Sequence, residues 1–493
     1  MTSIFNILNQ GAKFDKKRFK SDVEIFKLVP AKPELSLDFI DSEIKDLKIF
    51  KNTLKIKVQG SDVPDPIQSI PHLLKTFELP SFIESGLKNL QFNTLTPIQM
   101  QAIPIIISKR DILGISATGS GKTLAFCLPI LRCLKSHQDG GFRALIISPT
   151  RELALQIERQ VQRLSGSTQF KICILNKVTN LDNVKQYKNF DILISTPSTL
   201  VSCLKTSSIN LSKIQHIVFD EADKLLDECF LDQIDEILSS CTYPNLQKSL
   251  FSATIPSSIE TLAHTFMKDP IRVIIGTINS ATDLIKQKLL FVGQEEGKIM
   301  AIRQLVEQGF KPPCLIFVQS IERARELHKE LVYDNIKVDV IHSERSKQER
   351  DEVILDFRSG KVWVLISTEL MARGIDFKGV NLVVNFDFPQ TVVSYIHRIG
   401  RCGRNGRHGE AVTFFTRDDS PYLKSVVNVM KQSGCEVPEW MLNLPSVNKN
   451  LKKDLKKKPL NRKAVSSDSK YDLIKLKRRR EMSMRSRKLS VKK

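Results

Sequence analysis

Runs of apolar residues, four to seven long, alternate along this chain with amphipathic stretches of helical period. Residues 144–148, 192–195, 214–219 and 271–275 are rich in β-branched side chains and apolar at successive positions. Such runs suit strands covered on both faces in a parallel sheet, with the amphipathic stretches as crossover helices. The polar stretch 276–283 breaks the pattern. Residues 315–318, 338–341, 362–367, 382–386 and 411–415 then repeat it. The layout predicts an α/β protein of two tandem doubly wound domains, parallel sheets flanked by helices, over 68–275 and 284–440 with a short linker at 276–283. Residues 1–67 are Lys-rich, weakly periodic and end in Gly60-Ser-Asp-Val-Pro-Asp-Pro66. They are expected to form a mostly irregular N-terminal extension, and 441–493 a basic C-terminal tail.

Composition narrows the class. In 493 residues, 41% apolar and 26% charged are ordinary values for a globular protein with more than one core. No apolar run approaches the length of a membrane span, and Met1-Thr-Ser-Ile-Phe-Asn-Ile-Leu8 does not read as a secretory signal. The nine cysteines are scattered, without CxxC or metal-ligand spacing, so reduced thiols and no structural metal are expected. The net charge is +21, and its placement matters more than its size. Residues 449–493 carry 19 Lys and Arg against four Asp and Glu, which puts +15 of the total in the last 45 residues. The tail is thus either a solvated extension or an arm for a polyanion.

Two segments carry chemistry. Ser116-Ala-Thr-Gly-Ser-Gly-Lys-Thr123 follows an apolar run and leads into the helical Leu124-Ala-Phe-Cys-Leu128. That is the strand–loop–helix setting of a P-loop. Gly119 and Gly121 let successive N–H groups of Ala117, Thr118 and Ser120 turn toward phosphate, and the helix adds its positive end. Lys122 can reach the β- and γ-phosphates of ATP, and the Thr123 hydroxyl can ligate Mg²⁺. Ser116 stands at the first glycine of the general pattern, which loses little because the chemistry lies in the later residues. A second apolar run, 214–219, ends directly in Asp220-Glu-Ala-Asp223. Acids open helices for dipole reasons alone. Beside a P-loop, Asp220 suits Mg²⁺ and Glu221 suits activation of the attacking water.

With these residues the chain resembles the DEAD-box RNA helicases of superfamily 2 over roughly 68–440. The motif series runs Thr96-Pro-Ile-Gln99, the P-loop, Pro149-Thr-Arg-Glu-Leu-Ala154, Asp220-Glu-Ala-Asp223 and Ser252-Ala-Thr254. It continues as Leu315-Ile-Phe-Val-Gln-Ser320, Ala372-Arg-Gly-Ile-Asp376 and His397-Arg-Ile-Gly-Arg-Cys-Gly-Arg404. The resemblance implies RecA-like domains that bind ATP and Mg²⁺ between them and RNA across both. It implies that Gln99 reads adenine, that Arg401 and Arg404 face the γ-phosphate, and that Asp376 accepts from the ribose. His397 would couple to the catalytic acids, and Ser252 with Thr254 would link the states of the two domains. RNA backbone contacts would come from Thr150, Arg151, Thr196, Gln319 and Thr368, positioning a strand without reading its bases.

The departures are specific. Ile70 falls near the family's adenine-stacking aromatic, and Gln91 replaces the glycine before Phe92, so adenine preference is expected with weaker affinity. Thr196-Pro-Ser-Thr199 lacks the usual arginine, and Lys177-Val-Thr-Asn180 lacks the usual glycine pair. Glu369 replaces an Asp, and Ser343 and Lys347 replace a Gly and a Gln. Chemistry is expected intact and RNA binding weaker or context-dependent. Two readings follow: an enzyme that opens short RNA duplexes, and an ATP-gated clamp that releases few of them. DNA as substrate is disfavoured by the motif set.

Phe251-Ser-Ala-Thr-Ile-Pro-Ser257, Glu295-Glu-Gly-Lys298, Val429-Met-Lys-Gln-Ser-Gly-Cys-Glu-Val437 and Ile4-Phe-Asn-Ile-Leu8 look like the Rok-type subgroup. That resemblance implies precursor rRNA as substrate in 40S small-subunit assembly, pre-ribosomal assembly proteins as partners, a monomeric enzyme, and residence in the nucleus and nucleolus. Lys456-Lys-Lys-Pro459 and Lys477-Arg-Arg-Arg480 suit nuclear import or loose phosphate binding.

Overall fold

The computed structural model describes residues 47–90, 92–166, 170–175, 189–206, 209–227, 229–276, 284–369, 379–403 and 408–445, with 460, 462 and 465. Among these, eight strands form the first sheet: β1 (Ile56–Gln59), β2 (Ile112–Ile115), β3 (Ala144–Ile147), β4 (Ile172–Ile174), β5 (Ile192–Ser195), β6 (His216–Asp220), β7 (Gln247–Ser252) and β8 (Ile271–Ile275). Their order is β1-β8-β2-β7-β6-β3-β5-β4. Six form the second: β9 (Ile285–Phe291), β10 (Cys314–Val318), β11 (Val338–Ile341), β12 (Val364–Thr368), β13 (Leu382–Asn385) and β14 (Gly409–Phe415), in the order β11-β12-β10-β13-β14-β9. Every ladder is parallel except β1 with β8.

The apolar runs become strands buried at every position, as in β2, β3, β5 and β6. Alternation along them feeds two separate cores. Leu145, Ile147, Leu193, Ile217 and Phe219 pack on one face of the first sheet, and Ile146, Ile194 and Val218 on the other. In the second sheet Leu315, Phe317 and Val383 face one layer, while Ile316, Val318 and Val384 face its opposite. Helices therefore cover both sides, as parallel sheets require.

The N-terminal expectation needs correction at its last part. Residues 47–59 are ordered into the helix Leu47–Thr53 and β1, which pairs antiparallel along β8. Ile56 is buried while Lys57 faces outward, so four residues of alternation carry the signal, too short a stretch to stand out in a Lys-rich sequence. The physical reason is the edge: without β1, the outer side of β8 would leave a row of unpaired backbone groups. Part of the tail is also placed. Leu460, Arg462 and Val465 lie against the second sheet's domain, with Val465 buried.

Most chemistry-bearing residues sit at the carboxyl ends of parallel strands or at the start of the next helix, while His397 and Arg401 lie at or just past the end of the helix Val392–Ile399. In doubly wound sheets, ligands are bound at the carboxyl ends of the strands.

Candidate nucleotide cleft and RNA face

The loop after β2 turns through two left-handed glycines, Gly119 at φ 77° and Gly121 at φ 89°. Gly121 is also crowded: a Cβ there would lie 2.4 Å from Gln99 Nε2. Gln99 is buried, donates to the Gly121 carbonyl at 3.0 Å and accepts from Thr96 N at 2.9 Å. The residue expected to read adenine is thus fastened to the phosphate loop, with one N–H and one lone pair left for a base. Lys122 Nζ donates to the carbonyls of Ser116 and Ala117, at 2.7 and 2.9 Å, so it caps its own loop. Ser116 and Ser120 share a hydroxyl contact of 2.7 Å. Thr123 is the second residue of the helix Lys122–Leu134.

β6 delivers Asp220 into the interior, 4% exposed. Burial, the neighbouring Glu221 carboxylate and Asp223 push its carboxyl up to about 7 against the opposing pull of Lys122 and the Glu221 N–H. Glu221 adopts φ 54°, a left-handed conformation that costs a non-glycine residue about 1 kcal/mol or more. The turn leaves Glu221 Oε2 buried without a hydrogen-bond partner. A buried carboxylate beside a half-buried one with an idle buried oxygen forms a site that suits a cation.

The second domain closes on this site. Arg401, 3% exposed, places a guanidinium nitrogen 4.0 Å from Glu221 Oε1 and donates from Nε to the His397 carbonyl at 3.1 Å. His397 Nε2 stands 2.9 Å from Asp223 Oδ2, at ion-pair distance without an aligned hydrogen bond. The Thr254 hydroxyl donates to the same Asp223 oxygen, and Ser252 Oγ donates to the Thr254 carbonyl at 2.7 Å. The Ser252 carbonyl in turn accepts from Ser116 N at 3.1 Å, tying this turn to the phosphate loop. Thr118 donates to the Gly400 carbonyl at 3.1 Å. Arg404 and Asp376 lie outside the described residues.

Four strand ends carry the RNA candidates. Thr150 caps the helix Arg151–Ser165 after β3, and Arg151 begins it. Thr196 follows β5, where its hydroxyl pairs with that of Thr199, the position lacking the usual arginine, at 3.0 Å. Thr368 ends β12. Glu369, the other departure, takes Arg398 at 2.9 Å and the Ser394 hydroxyl, so the longer acid reaches a basic partner within its own domain. Gln319 follows β10, and both ends of its amide are engaged: Nε2 donates to the Leu460 carbonyl at 2.9 Å, and Oε1 accepts from Arg462 Nε at 3.1 Å. Lys177-Val-Thr-Asn180 lies outside the described residues.

Sequence reading missed several contacts. Thr118–Gly400, the Arg350–Glu152 pair at 3.0 Å and the buried cluster around Asp387 join positions with no shared motif. A usable sign existed for Asp387: like Asp220, it follows an apolar strand directly. Two facing parallel sheets, one with a phosphate loop and paired acids and the other with a buried arginine aimed at them, define a two-domain nucleotide hydrolase of RecA-like build.

Comparison with known proteins gives the family. The model described as DEAD/DEAH box helicase matches residues 96–262, and that of the helicase conserved C-terminal domain matches 297–406. "Probable ATP-dependent RNA helicase DDX52" of Bos taurus is 48% identical over 443 residues, 88% of this chain and 74% of that protein. "ATP-dependent RNA helicase ROK1" of Lodderomyces elongisporus is 48% identical over 456 residues, 90% of this chain and 82% of its relative. The structure "S. cerevisiae Dbp5 bound to RNA and ADP BeF3" matches with a TM-score of 0.66 and 28% identity, covering 78% of this chain and 98% of the other. The chain belongs to the DEAD/DEAH box helicase family and is an ATP-dependent RNA helicase.

Proposed function

We propose that the chain hydrolyses ATP at the junction of Lys122, Glu221 and Arg401 while holding precursor rRNA across both domains, within 40S small-subunit assembly in the nucleolus. The observation that carries the catalytic part is the Glu221–Arg401 approach at 4.0 Å from opposite sheets. Neither side of the site is complete alone, so turnover depends on closure. Lys122 exchanges the Ser116 and Ala117 carbonyls for phosphate oxygens. Glu221 orients the attacking water and takes its proton. Arg401 faces the charge that spreads onto the γ-phosphate, with Arg404 as the second arginine and Asp376 on the ribose.

Mg²⁺ fits the donor set. Asp220 and Thr123 offer only oxygen, the choice of a hard cation, and Asp220, raised first by burial and then by the Glu221 carboxylate, lies where a cation would offset that cost. Mg²⁺, when bound, would neutralise charge on the phosphates. Asp220 would hold it through its carboxylate or water shell, and Thr123 through its hydroxyl.

RNA is proposed to run along Thr150, Arg151, Thr196, Gln319 and Thr368, bent by closure so that a short duplex loses local pairing. The likeness to the ROK1 and DDX52 helicases supports the ribosomal setting, in which assembly proteins would supply site selection. Replacing Glu221→Gln tests the chemistry: ATP and RNA still bind, and turnover falls by about 10² or more. Unchanged turnover removes Glu221 from its role. Crosslinking to cellular RNA tests the setting. Enrichment of small-subunit precursor rRNA is expected, and an even spread over messenger RNA contradicts it.

A further inference from the structure

The domain of the second sheet contains a buried group of charges that makes no part of the Glu221–Arg401 junction. Asp387 and Lys298 are fully buried and pair at 3.0 Å. Arg323 joins Asp387 at 2.6 Å and Glu295 at 2.9 Å, and Lys298 also reaches Glu295 at 2.9 Å. Asp419, fully buried nearby, accepts from Thr416 N and Oγ1. Among the described residues of 284–445 this cluster has three acids against two bases. A buried charge without a counter-charge is strongly unfavourable.

The missing cation comes from the tail. Arg462, 4% exposed, sends one guanidinium nitrogen to Asp419 at 2.5 Å, another to Glu295 at 2.7 Å, and Nε to Gln319 Oε1 at 3.1 Å. Its position balances three acids with three bases. Leu460 packs on one core of the domain, and Val465 enters the other while its N–H donates to Glu326 at 2.7 Å. The anchoring is thus ionic at the centre and apolar at both ends.

We infer that Leu460, Arg462 and Val465 form an intramolecular latch which holds both ends of the Gln319 amide and so competes with RNA for that residue. The inference rests on the reading of Gln319 as an RNA contact. An RNA strand that takes the Gln319 amide displaces the latch. The latch makes Gln319 unavailable until RNA is present, raising the RNA concentration needed for stimulation and leaving the ATP site untouched.

The test uses the full-length chain, with RNA-stimulated ATPase measured against a single-stranded RNA. Val465→Asn puts an amide into an apolar seat and weakens docking of the latch while removing no charged side chain. The half-saturating RNA concentration is expected to fall about two- to tenfold, the equivalent of one net hydrogen bond, with kcat at saturating RNA and RNA-free ATPase unchanged. Arg462→Ala is expected to act in the same direction; if it lowers the melting temperature by leaving the acids unmatched, Val465→Asn still decides. Adding Gln319→Ala to Val465→Asn should cancel the gain. An unchanged or higher half-saturating concentration in Val465→Asn overturns the latch. If Gln319→Ala fails to weaken RNA binding in that background, the RNA contact itself falls, and the latch with it.

Discussion

His397 and Asp223 meet at 2.9 Å from opposite domains, and the same Asp223 oxygen takes the Thr254 hydroxyl. One carboxylate therefore joins the end of β6, the turn after β7 and the helix Val392–Ile399 of the second sheet. The contact reports whether the domains are together, one turn from the residue proposed to activate water. His397→Ala should leave the KM for ATP nearly unchanged and lower RNA-stimulated kcat by about 10- to 100-fold, the scale of a weakened closed state. Steady-state ATPase at saturating RNA checks this; a rise in KM with kcat intact would place His397 in nucleotide binding instead.

Gly400 supplies a steric test of closure. A Cβ at this position would lie 2.1 Å from Thr118 Oγ1 across the cleft and 3.0 Å from the Ile396 carbonyl. Gly400→Ala is therefore expected to fold with a melting temperature close to the parent, because each domain's own core is untouched. Its RNA-stimulated ATPase should drop at least about tenfold, while RNA-free nucleotide binding to the first domain persists.

Much of this arrangement was legible in the sequence because its residues sit where strands end. The phosphate loop and Asp220 each follow an apolar run, so the chemistry and the fold announce one another within a few residues. Contacts between distant segments were not legible. Nothing in the local pattern links Arg462 to Asp419, Thr118 to Gly400 or β1 to β8, since each pair depends on how separate elements stack. Gln99 shows an intermediate case: its motif was readable, but its attachment to Gly121 comes from a close approach of two helices' starts. The tail read as uniformly basic, yet its structural part is defined by one arginine flanked by Leu460 and Val465.

The charge cluster predicts acid sensitivity. Burial alone would raise the Asp387 and Glu295 carboxyls, but Lys298, Arg323 and Arg462 hold both below their ordinary values of 3.8 and 4.5. The folded chain thus binds these protons less readily than the unfolded chain. Their stabilisation is present above the ordinary values and is lost as pH falls through the lower native ones. Asp387→Asn leaves the cations unmatched and should cost about 3–5 kcal/mol at neutral pH. The variant's stability should also depend less steeply on pH below about 4. Denaturant titrations at several acid pH values measure both effects.

The tail divides into a docked part and a basic part. Residues 470–493 hold 11 of the tail's Lys and Arg. A chain ending at Ser469 keeps Leu460, Arg462 and Val465 and should melt like the full chain. Its RNA affinity should decline less steeply with salt, because fewer counterions are released. An unchanged slope in filter-binding measurements from low to physiological salt would exclude the terminal basic residues from RNA binding.

Single-turnover hydrolysis of ATP by Arg401→Ala at saturating RNA bears most directly on the shared site. The rate should fall by about 10³–10⁵, as for arginines that face a transferring phosphoryl group from a second domain, while ATP remains bound. A rate within tenfold of the parent would mean that the approach of Arg401 to Glu221 is packing alone, and that the first domain hydrolyses ATP without its partner.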